Sequence, residues 1–310
     1  MGFAFVFPGQ GSQSVGMMAG FDGHAIVRKT FDEASAVLGE DLWALVTDGP
    51  DDSLNQTVNT QPVMLTAGIA AWRAWQASGG GTPSIVAGHS LGEYTALVAA
   101  GALAFADAVP LVRFRAQAMQ EAVPAGVGAM AAILGLEATG VAAACAEAAQ
   151  GQVVEPVNFN TPEQIVIAGH RAAVERAIDI ATARGAKRGI LLPVSAPFHS
   201  SLMKPAAERL AARLATVPFA APRLAVVQNV DAREKSEPDA IRAALALQAA
   251  SPVRWVETIQ SFAARGLTHV IECGPGRVLT GMSKRIDRSL KGYALDSGAD
   301  IDATLAALAG

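Results

Sequence analysis

Several residue types and segments are scarce in this chain of 310 residues, and each scarcity excludes a class of protein. The two cysteines, Cys145 and Cys273, lie far apart and lack metal-site spacing. Cys145 sits among alanines in a helical pattern, so we expect it in the core and predict a reduced, cytosolic setting. The formal net charge is -4 with no long basic run, which argues against nucleic acid as the main ligand.

Long apolar runs are absent as well. The longest, residues 96–106, is too short to cross a bilayer. The opening MGFAFVFPGQ has no basic region and reaches Pro8 quickly, so it predicts a first buried strand and not a signal peptide. We therefore expect no membrane contact and a cytoplasmic location.

Apolar residues are plentiful, at 51% of the chain, which is enough for a sizeable core. Short apolar strands alternate with alanine-rich helices, a pattern that predicts an α/β fold with a mostly parallel sheet covered on both faces. Predicted helices cover residues 23–38, 63–78, 107–121, 202–217, 238–249 and 277–289, with another from about residue 91; predicted strands cover 3–7, 84–87, 224–230 and 268–272.

Residues 126–194 have a different pattern, and we predict that they form a small domain inserted in the large one. Four strands, GAMAAILGL, VVEPVNF, QIVIAG and KRGILLPV, are interleaved with two helices over residues 137–149 and 171–184. A turn is predicted at Asn160-Thr161-Pro162, between the second and third strands. The order βαββαβ is that of a ferredoxin-like unit.

The stretch GHSLG, residues 88–92, fits G-x-S-x-G around Ser90. Small flanking residues permit a sharp strand-to-helix turn that projects the serine hydroxyl, and the following helix directs N–H groups toward the same place. An apolar strand precedes the motif and a helical run follows it. The motif alone leaves two alternatives open, a nucleophile and an ordinary turn.

A nucleophilic serine needs a base, and the chain has five histidines. His89 adjoins Ser90, so its side chain should diverge from the hydroxyl. His24 and His170 lie in polar surroundings typical of surface residues, and His269 begins an apolar strand. His199, just after the predicted insertion, is the leading candidate because a cleft between domains is a common active-site location.

Eight ordered blocks resemble a known family: FPGQGSQ (7–13), NTQPVMLT (59–66), GHSLGEYTAL (88–97), RAQAMQEAVP (115–124), VNFNTPEQIVIAG (157–169), VSAPFHSSLMKPAAERL (194–210), QAASPVRW (248–255) and GPGRVLTGMSKR (274–285). They are similar to those of malonyl-CoA:acyl carrier protein transacylases, from end to end. The resemblance implies an α/β-hydrolase-like catalytic domain, residues 1–125 and 195–310, carrying the ferredoxin-like insertion, residues 126–194.

The resemblance also implies roles for individual residues. Ser90 would be the nucleophile and His199 its base, with the imidazole oriented by the main-chain carbonyl of Gln248 instead of a carboxylate. The main-chain N–H groups of Gln10 and Leu91 would form the oxyanion hole. Asn158 would support the dyad.

Arg115 decides between transfer and hydrolysis. It falls on the apolar stripe of its predicted helix, with Ala108, Leu111, Val112, Ala118 and Met119, whereas Arg113 lies on the other side. A charge on that face needs a partner. The sequence alone leaves open a protein carboxylate, a snorkelling side chain and a ligand. In the family, the matching arginine grips the free carboxylate of the malonyl group, for which a guanidinium fork is suited.

The implied reaction is ping-pong transfer of malonyl from malonyl-CoA to the phosphopantetheine thiol of acyl carrier protein, through a malonyl ester of Ser90, in support of fatty-acid synthesis. No metal or held cofactor is expected, since coenzyme A enters as part of the substrate. Phe198, directly before His199, matches the malonyl-type pattern and would occlude a methyl branch; simple packing is an equal alternative.

Acyl carrier protein is acidic, so basic side chains should guide it. Candidates are Lys187, Arg188, Arg277, Lys284, Arg285 and Arg288, for each of which a solvated surface is the alternative.

The sequence leaves three rival functions open. They are a stand-alone acyltransferase serving a polyketide synthase, a serine esterase or thioesterase with an acid such as Asp179 or Glu155, and a carrier-protein-binding module with an inactive site. No heptads indicate a dimer, and we expect a monomer.

Overall fold

The computed structural model describes residues 2–309. Its strands are β1 (Phe3–Phe7), β2 (Ile85–Gly88), β3 (Gly128–Leu134), β4 (Val154–Thr161), β5 (Gln164–His170), β6 (Arg188–Leu191), β7 (Ala225–Val227), β8 (His269–Cys273) and β9 (Lys291–Leu295). Its helices are α1 (Ala25–Leu38), α2 (Leu42–Asp48), α3 (Asp51–Leu54), α4 (Thr57–Ala77), α5 (Gly92–Ala99), α6 (Phe105–Gln120), α7 (Ala138–Ala149), α8 (Arg171–Ala183), α9 (Lys204–Leu214), α10 (Pro238–Gln248), α11 (Trp255–Ala264), α12 (Val278–Ile286) and α13 (Gly298–Ala309).

Five parallel strands form the central sheet, in the order β7-β2-β1-β8-β9. The central strand, β1, is buried on both faces, as its continuous apolar sequence predicts. Phe5 packs edge-on against Trp72 and Trp75 of α4, with ring centroids 5.4 and 5.3 Å apart. Ala4 and Val6 face the opposite layer, which includes α11.

Four antiparallel strands form the second sheet, in the order β4-β5-β3-β6. One face packs under α7 and α8, where Cys145 is buried as predicted. Residues of the other face, Met130 and Val166 among them, join the core of the large sheet's helical layer. A main-chain pair between β4 and Val253 ties the two parts together: Phe159 N–H donates to Val253 O at 3.0 Å, and Val253 N–H donates to Val157 O at 2.8 Å.

The predicted fold class, a parallel α/β sheet with a ferredoxin-like unit, is confirmed. The domain boundaries at residues 125/126 and 194/195 enclose the second sheet and stay a prediction. Among residues 2–309, no helix is both long and apolar enough to span a bilayer.

Some predicted elements were wrong or missed. Asn160 and Thr161 belong to β4 and are buried; only Pro162 and Glu163 form the turn, because two register shifts in β4 carry the strand further than its apolar pattern indicates. Helix α4 begins at residue 57, six residues earlier than predicted, since Pro62 is accommodated inside it. Helices α2, α3, α11 and α13 and strand β9 had not been predicted.

Candidate active site

Ser90 lies between β2 and α5, at the carboxyl end of the central sheet, with a left-handed backbone (φ 51°). Both flanking residues must be glycine, because neighbouring main-chain atoms approach them too closely for a side chain. A Cβ on Gly88 would come within 1.8 Å of the Gly92 carbonyl carbon, and one on Gly92 within 2.0 Å of the Phe7 carbonyl oxygen. The turn is therefore a tight, strained elbow that presents the serine hydroxyl, as the motif predicts.

Two amide side chains hold the backbone of this elbow. Ser90 N–H donates to Asn229 Oδ1 at 2.7 Å, and Gln248 Nε2 donates to the Ser90 carbonyl at 3.0 Å. Asn229 Nδ2 also donates to the Gly88 carbonyl at 2.7 Å. Sequence reasoning missed Asn229. Its position just after β7, next to β2, was the available signal, since sites lie at the carboxyl ends of parallel strands.

His199 contacts the Ser90 hydroxyl, with 2.7 Å between Nε2 and Oγ. Its Nδ1 donates to the main-chain carbonyl of Gln248 at 2.8 Å. Gln248 is the last residue of α10, where carbonyl groups lack intrahelical partners, so this acceptor is a consequence of helix termination. Burial and the neighbouring charge of Arg115 lower the pKa of His199 to about 3, which keeps the imidazole neutral.

The other histidines lie away from the hydroxyl. His89 points to the second sheet, where its Nε2 is 2.8 Å from Asn160 Oδ1. His269 is a buried core residue 2.8 Å from the Thr268 hydroxyl. The rival acid Glu155 instead accepts from the N–H and hydroxyl of Ser201, at 2.7 and 2.8 Å.

Arg115 lies beside the dyad on the buried stripe of α6, and 2% of its surface is exposed. Its Nη1 donates to Gln61 Oε1 at 2.8 Å, and its Nη2 donates to Gln248 Oε1 at 2.8 Å and to Ser90 Oγ at 3.1 Å. Its Nε has no partner among the described residues. Burial lowers the pKa of this guanidinium. By contrast, Arg113 forms an ion pair with Glu40, a half-exposed carboxylate away from the dyad.

The guanidinium is therefore held by neutral amides and not by a protein carboxylate, which leaves its charge available to a ligand. The role of Gln61 was missed, although the block NTQPVMLT contains it. Amide side chains carry no pattern that marks them as partners of a distant arginine.

A cavity of about 110 Å³ joins these groups. Its lining comes from both sheets and their helices: Gln10, Gln61, His89, Ser90, Leu91, Arg115, Met119, Met130, Asn158, Leu192, Val194, Phe198 and His199. Every predicted site residue except Gln248 lines it, and Gln248 bonds to three of the lining residues from behind.

The predicted oxyanion donors border the cavity. Neither the Gln10 nor the Leu91 main-chain N–H donates a hydrogen bond within residues 2–309. Gly9 brings the first loop against the elbow, since a Cβ there would lie 2.5 Å from the His89 carbonyl oxygen and 3.7 Å from Leu91 N. Two free donors on adjoining loops suit a developing oxyanion.

Phe198 and Asn158 form part of the wall. Phe198 is 8% exposed. Asn158 Oδ1 is buried without a hydrogen-bond partner among the described residues, and none of its hydrogen bonds reaches Ser90 or His199. Its role in supporting the dyad stays a prediction.

Three of the six predicted basic residues lie together. Lys284, Arg285 and Arg288 line a groove of about 850 Å³ between α12 and the β4–β5 turn, where Glu163 also lies. Arg277 is instead paired with Asp300 at 2.8 Å.

Known proteins are similar to this chain over nearly its whole length. The acyl transferase domain family matches residues 4–298. Malonyl CoA-acyl carrier protein transacylase of Escherichia coli (strain K12) is 56% identical over 304 residues, covering 98% of each chain.

Two solved structures are similar throughout. Acyl-carrier-protein S-malonyltransferase from Burkholderia pseudomallei 1710b is 62% identical with a TM-score of 0.98, over 99% of this chain and 100% of that one. A complex of a type II polyketide synthase acyl carrier protein with its malonyl-transacylase gives 51% identity and a TM-score of 0.98, over 99% and 100%.

Proposed function

The chain belongs to the acyl transferase family, among its malonyl-CoA–acyl carrier protein transacylases, and we propose that Ser90 carries the malonyl group between the two thiols. The enzyme transfers malonyl from malonyl-CoA to acyl carrier protein. One observation supports the role of the serine: its Oγ lies within hydrogen-bond distance of both a neutral imidazole (2.7 Å) and a buried guanidinium (3.1 Å).

In the first half-reaction, Ser90 Oγ attacks the thioester carbonyl and its proton passes to His199 Nε2. The new C–O bond forms while the carbonyl oxygen takes up negative charge, which the N–H groups of Gln10 and Leu91 stabilise. The C–S bond then breaks, and the coenzyme A thiolate takes the proton from the imidazolium. The product is a malonyl ester of Ser90.

The second half-reaction runs the same steps with the other thiol. His199 accepts the proton of the phosphopantetheine thiol, whose sulfur attacks the ester carbonyl. The C–O bond to Ser90 breaks, and the serine oxygen recovers a proton from the imidazolium. Gln248 O keeps Nδ1 as the protonated nitrogen throughout, which leaves Nε2 as the base.

Arg115 selects the acyl group. A malonyl carboxylate can form a charge-assisted pair with the guanidinium, whose neutral partners Gln61 and Gln248 compete weakly for its charge. The Nε–H, which has no protein partner among the described residues, is available for one carboxylate oxygen. An acetyl group leaves the buried cation unpaired, which disfavours it.

We place the carrier protein at the groove of Lys284, Arg285 and Arg288. The groove is basic and open, and it lies where α12 meets the second sheet. An acidic partner would be attracted there, and the effect would be mainly on its encounter rate and Michaelis constant. Lys187 and Arg188, exposed on the inserted unit, stay candidates for the same role.

Mass spectrometry after incubation with malonyl-CoA tests the proposal. We expect a malonyl adduct on Ser90 in the wild-type enzyme, its removal by the pantetheine thiol of holo acyl carrier protein, and no adduct in Ser90→Ala. An adduct elsewhere, or none, would contradict the proposed intermediate.

A second pathway is compatible with the same chemistry and needs a separate test. The similar transacylase in complex with a polyketide carrier favours, as an alternative to fatty-acid synthesis, service to a polyketide synthase. Rates with the two classes of carrier protein would distinguish them. A monomeric state, a cytoplasmic location and the lack of a cofactor stay predictions.

A further inference from the structure

One buried carboxyl group lies behind the nucleophile and takes no part in the reaction proposed above. Glu93 is in the first turn of α5, three residues after Ser90, and its surface is 0% exposed. Its Oε2 accepts from Asn229 N–H at 2.7 Å and from Gln248 Nε2 at 3.1 Å. These are its only side-chain hydrogen bonds within residues 2–309, since Oε1 has none.

A carboxyl group buried beside neutral partners is costly, so its presence needs an explanation. Glu272 in β8 offers a comparison, because it is equally buried. It accepts from the N–H groups of Leu279 and Thr280 at the start of α12, so helix capping accounts for it. Glu93 also lies in the first turn of a helix, but its carboxyl group accepts from no N–H of that turn; it bonds instead to the two residues that hold the elbow.

We propose that Glu93 is a positioning residue: one carboxyl oxygen fixes both Asn229 and Gln248, and through them the strained backbone of Ser90 and the guanidinium of Arg115. The first link runs from Glu93 to Asn229, whose Oδ1 accepts from Ser90 N–H. The second runs to Gln248, whose Oε1 accepts from Arg115 Nη2.

The second link depends on the two ends of the Gln248 amide. Its Nε2 donates to Glu93 Oε2 and to the Ser90 carbonyl, so its oxygen must face Arg115. Without an acceptor at position 93, the Ser90 carbonyl alone holds this NH₂ group, so less opposes a turned-over amide, in which the NH₂ group would face the guanidinium and two donors would oppose each other. Together with the Ser90 carbonyl, Glu93 therefore fixes the amide orientation in which the Gln248 oxygen accepts from Arg115.

This inference rests on the proposed function, and its test uses the ratio of kcat/KM for malonyl-CoA to that for acetyl-CoA. The ratio does not depend on the fraction of active enzyme, so a general loss of folding leaves it unchanged. Glu93→Met removes the acceptor at similar volume. We expect the ratio to fall roughly tenfold, the scale of one lost hydrogen bond to a charged group.

Two further variants complete the test. Glu272→Met, the matched buried carboxyl, should lower the melting temperature and keep the wild-type ratio. Glu93→Gln keeps one oxygen able to accept from both partners, and should restore most of the ratio. An unchanged ratio in Glu93→Met, an equal fall in Glu272→Met, or a Glu93→Gln ratio as low as that of Glu93→Met would each overturn the proposal.

If Glu93→Met does not fold, the same ratio measured in Glu93→Asp tests the positioning role. Its carboxyl group is one methylene shorter and cannot reach both partners, so a lowered ratio supports positioning and a wild-type ratio overturns it. Failure of the proposed function is recognised separately, since wild-type Ser90 would then acquire no malonyl adduct.

Discussion

The two sides of the catalytic cavity are built differently. On the side of the parallel sheet, Ser90, Arg115 and His199 are joined by short hydrogen bonds to amides and carbonyls. On the other side, which we call the wall, Met130 of β3 and Leu192 and Val194, in the segment after β6, present apolar surface, and Asn158 of β4 leaves a buried oxygen without a partner among the described residues.

This difference separates two tasks. Residues that perform acyl transfer must be held to within fractions of an ångström. The hydrogen bonds around Ser90, Arg115 and His199 provide this, and we call this side of the cavity the bonded side. A wall that admits an acyl group and a pantetheine arm needs shape more than polarity. Substitutions on the bonded side should therefore change chemistry and acyl recognition, and those on the wall should change tolerance for the shape of the acyl group.

The largest effect is expected from Arg115→Ala, which removes the cation from the bonded side. We expect kcat/KM for malonyl-CoA to fall roughly 10²–10³-fold, the range for truncating one partner of a buried charge pair, while acetyl transfer persists or rises. Steady-state kinetics with both thioesters measure this. Arg113→Ala, two residues away in an external ion pair with Glu40, is the control and should change either rate little. Equal losses for both thioesters in Arg115→Ala would contradict a role in selection.

The pH dependence of kcat/KM tests the protonation state of His199, on the bonded side. Neutral His199 is the active form, and burial beside Arg115 and His89 lowers its pKa from the usual 6.5 to about 3. Protonation therefore removes the base only well below pH 6.5. We expect kcat/KM for malonyl-CoA to hold between pH 7.5 and 5.5 at constant ionic strength, where a histidine of ordinary pKa would lose roughly tenfold. A half-maximal rate near pH 6.5 in enzyme that remains folded would contradict it.

Much of the bonded side could be predicted from sequence, and its limits are physical. Ser90 is marked by a local motif, and Arg115 by a charge on an apolar helical stripe. The residues alone made His199 the leading candidate base among five histidines, and the family resemblance then assigned it that role. Gln61, Asn229 and the side chain of Gln248 come from three separate elements, and their contacts are non-local, so no spacing in the chain reveals them.

The wall was predicted less well for a similar reason. Bulges in β4 bury Asn160 against His89, although the residues around it read as a turn. Helix α11 had not been predicted, yet its Trp255 packs edge-on against His89, with ring centroids 5.4 Å apart. Irregular strands and tertiary packing override local pattern where the two units meet.

The basic groove shares no lining residue with the catalytic cavity, so substitutions there should spare the chemistry. Lys284→Glu with Arg285→Glu should raise the Michaelis constant for acyl carrier protein several-fold to about tenfold, more at low salt, through slower encounter. The rate of Ser90 acylation by malonyl-CoA should stay near that of the wild type. Arg277→Glu, at a side chain already paired with Asp300, serves as the control. A slower acylation of Ser90 in the double variant would contradict this, because it would show that the groove residues affect the chemical step.

The smallest effect is expected from a substitution at Phe198. It tests whether the shape of the cavity limits which acyl groups are accepted. Its ring is 8% exposed and borders the cavity immediately before His199. Phe198→Ser opens space for a methyl branch, so turnover of methylmalonyl-CoA relative to malonyl-CoA should rise a few-fold, the scale of one methylene in an apolar pocket. Phe114→Ser, at a partly buried aromatic that does not line the cavity, controls for a general loss of packing. An unchanged ratio in Phe198→Ser would assign the ring to packing alone.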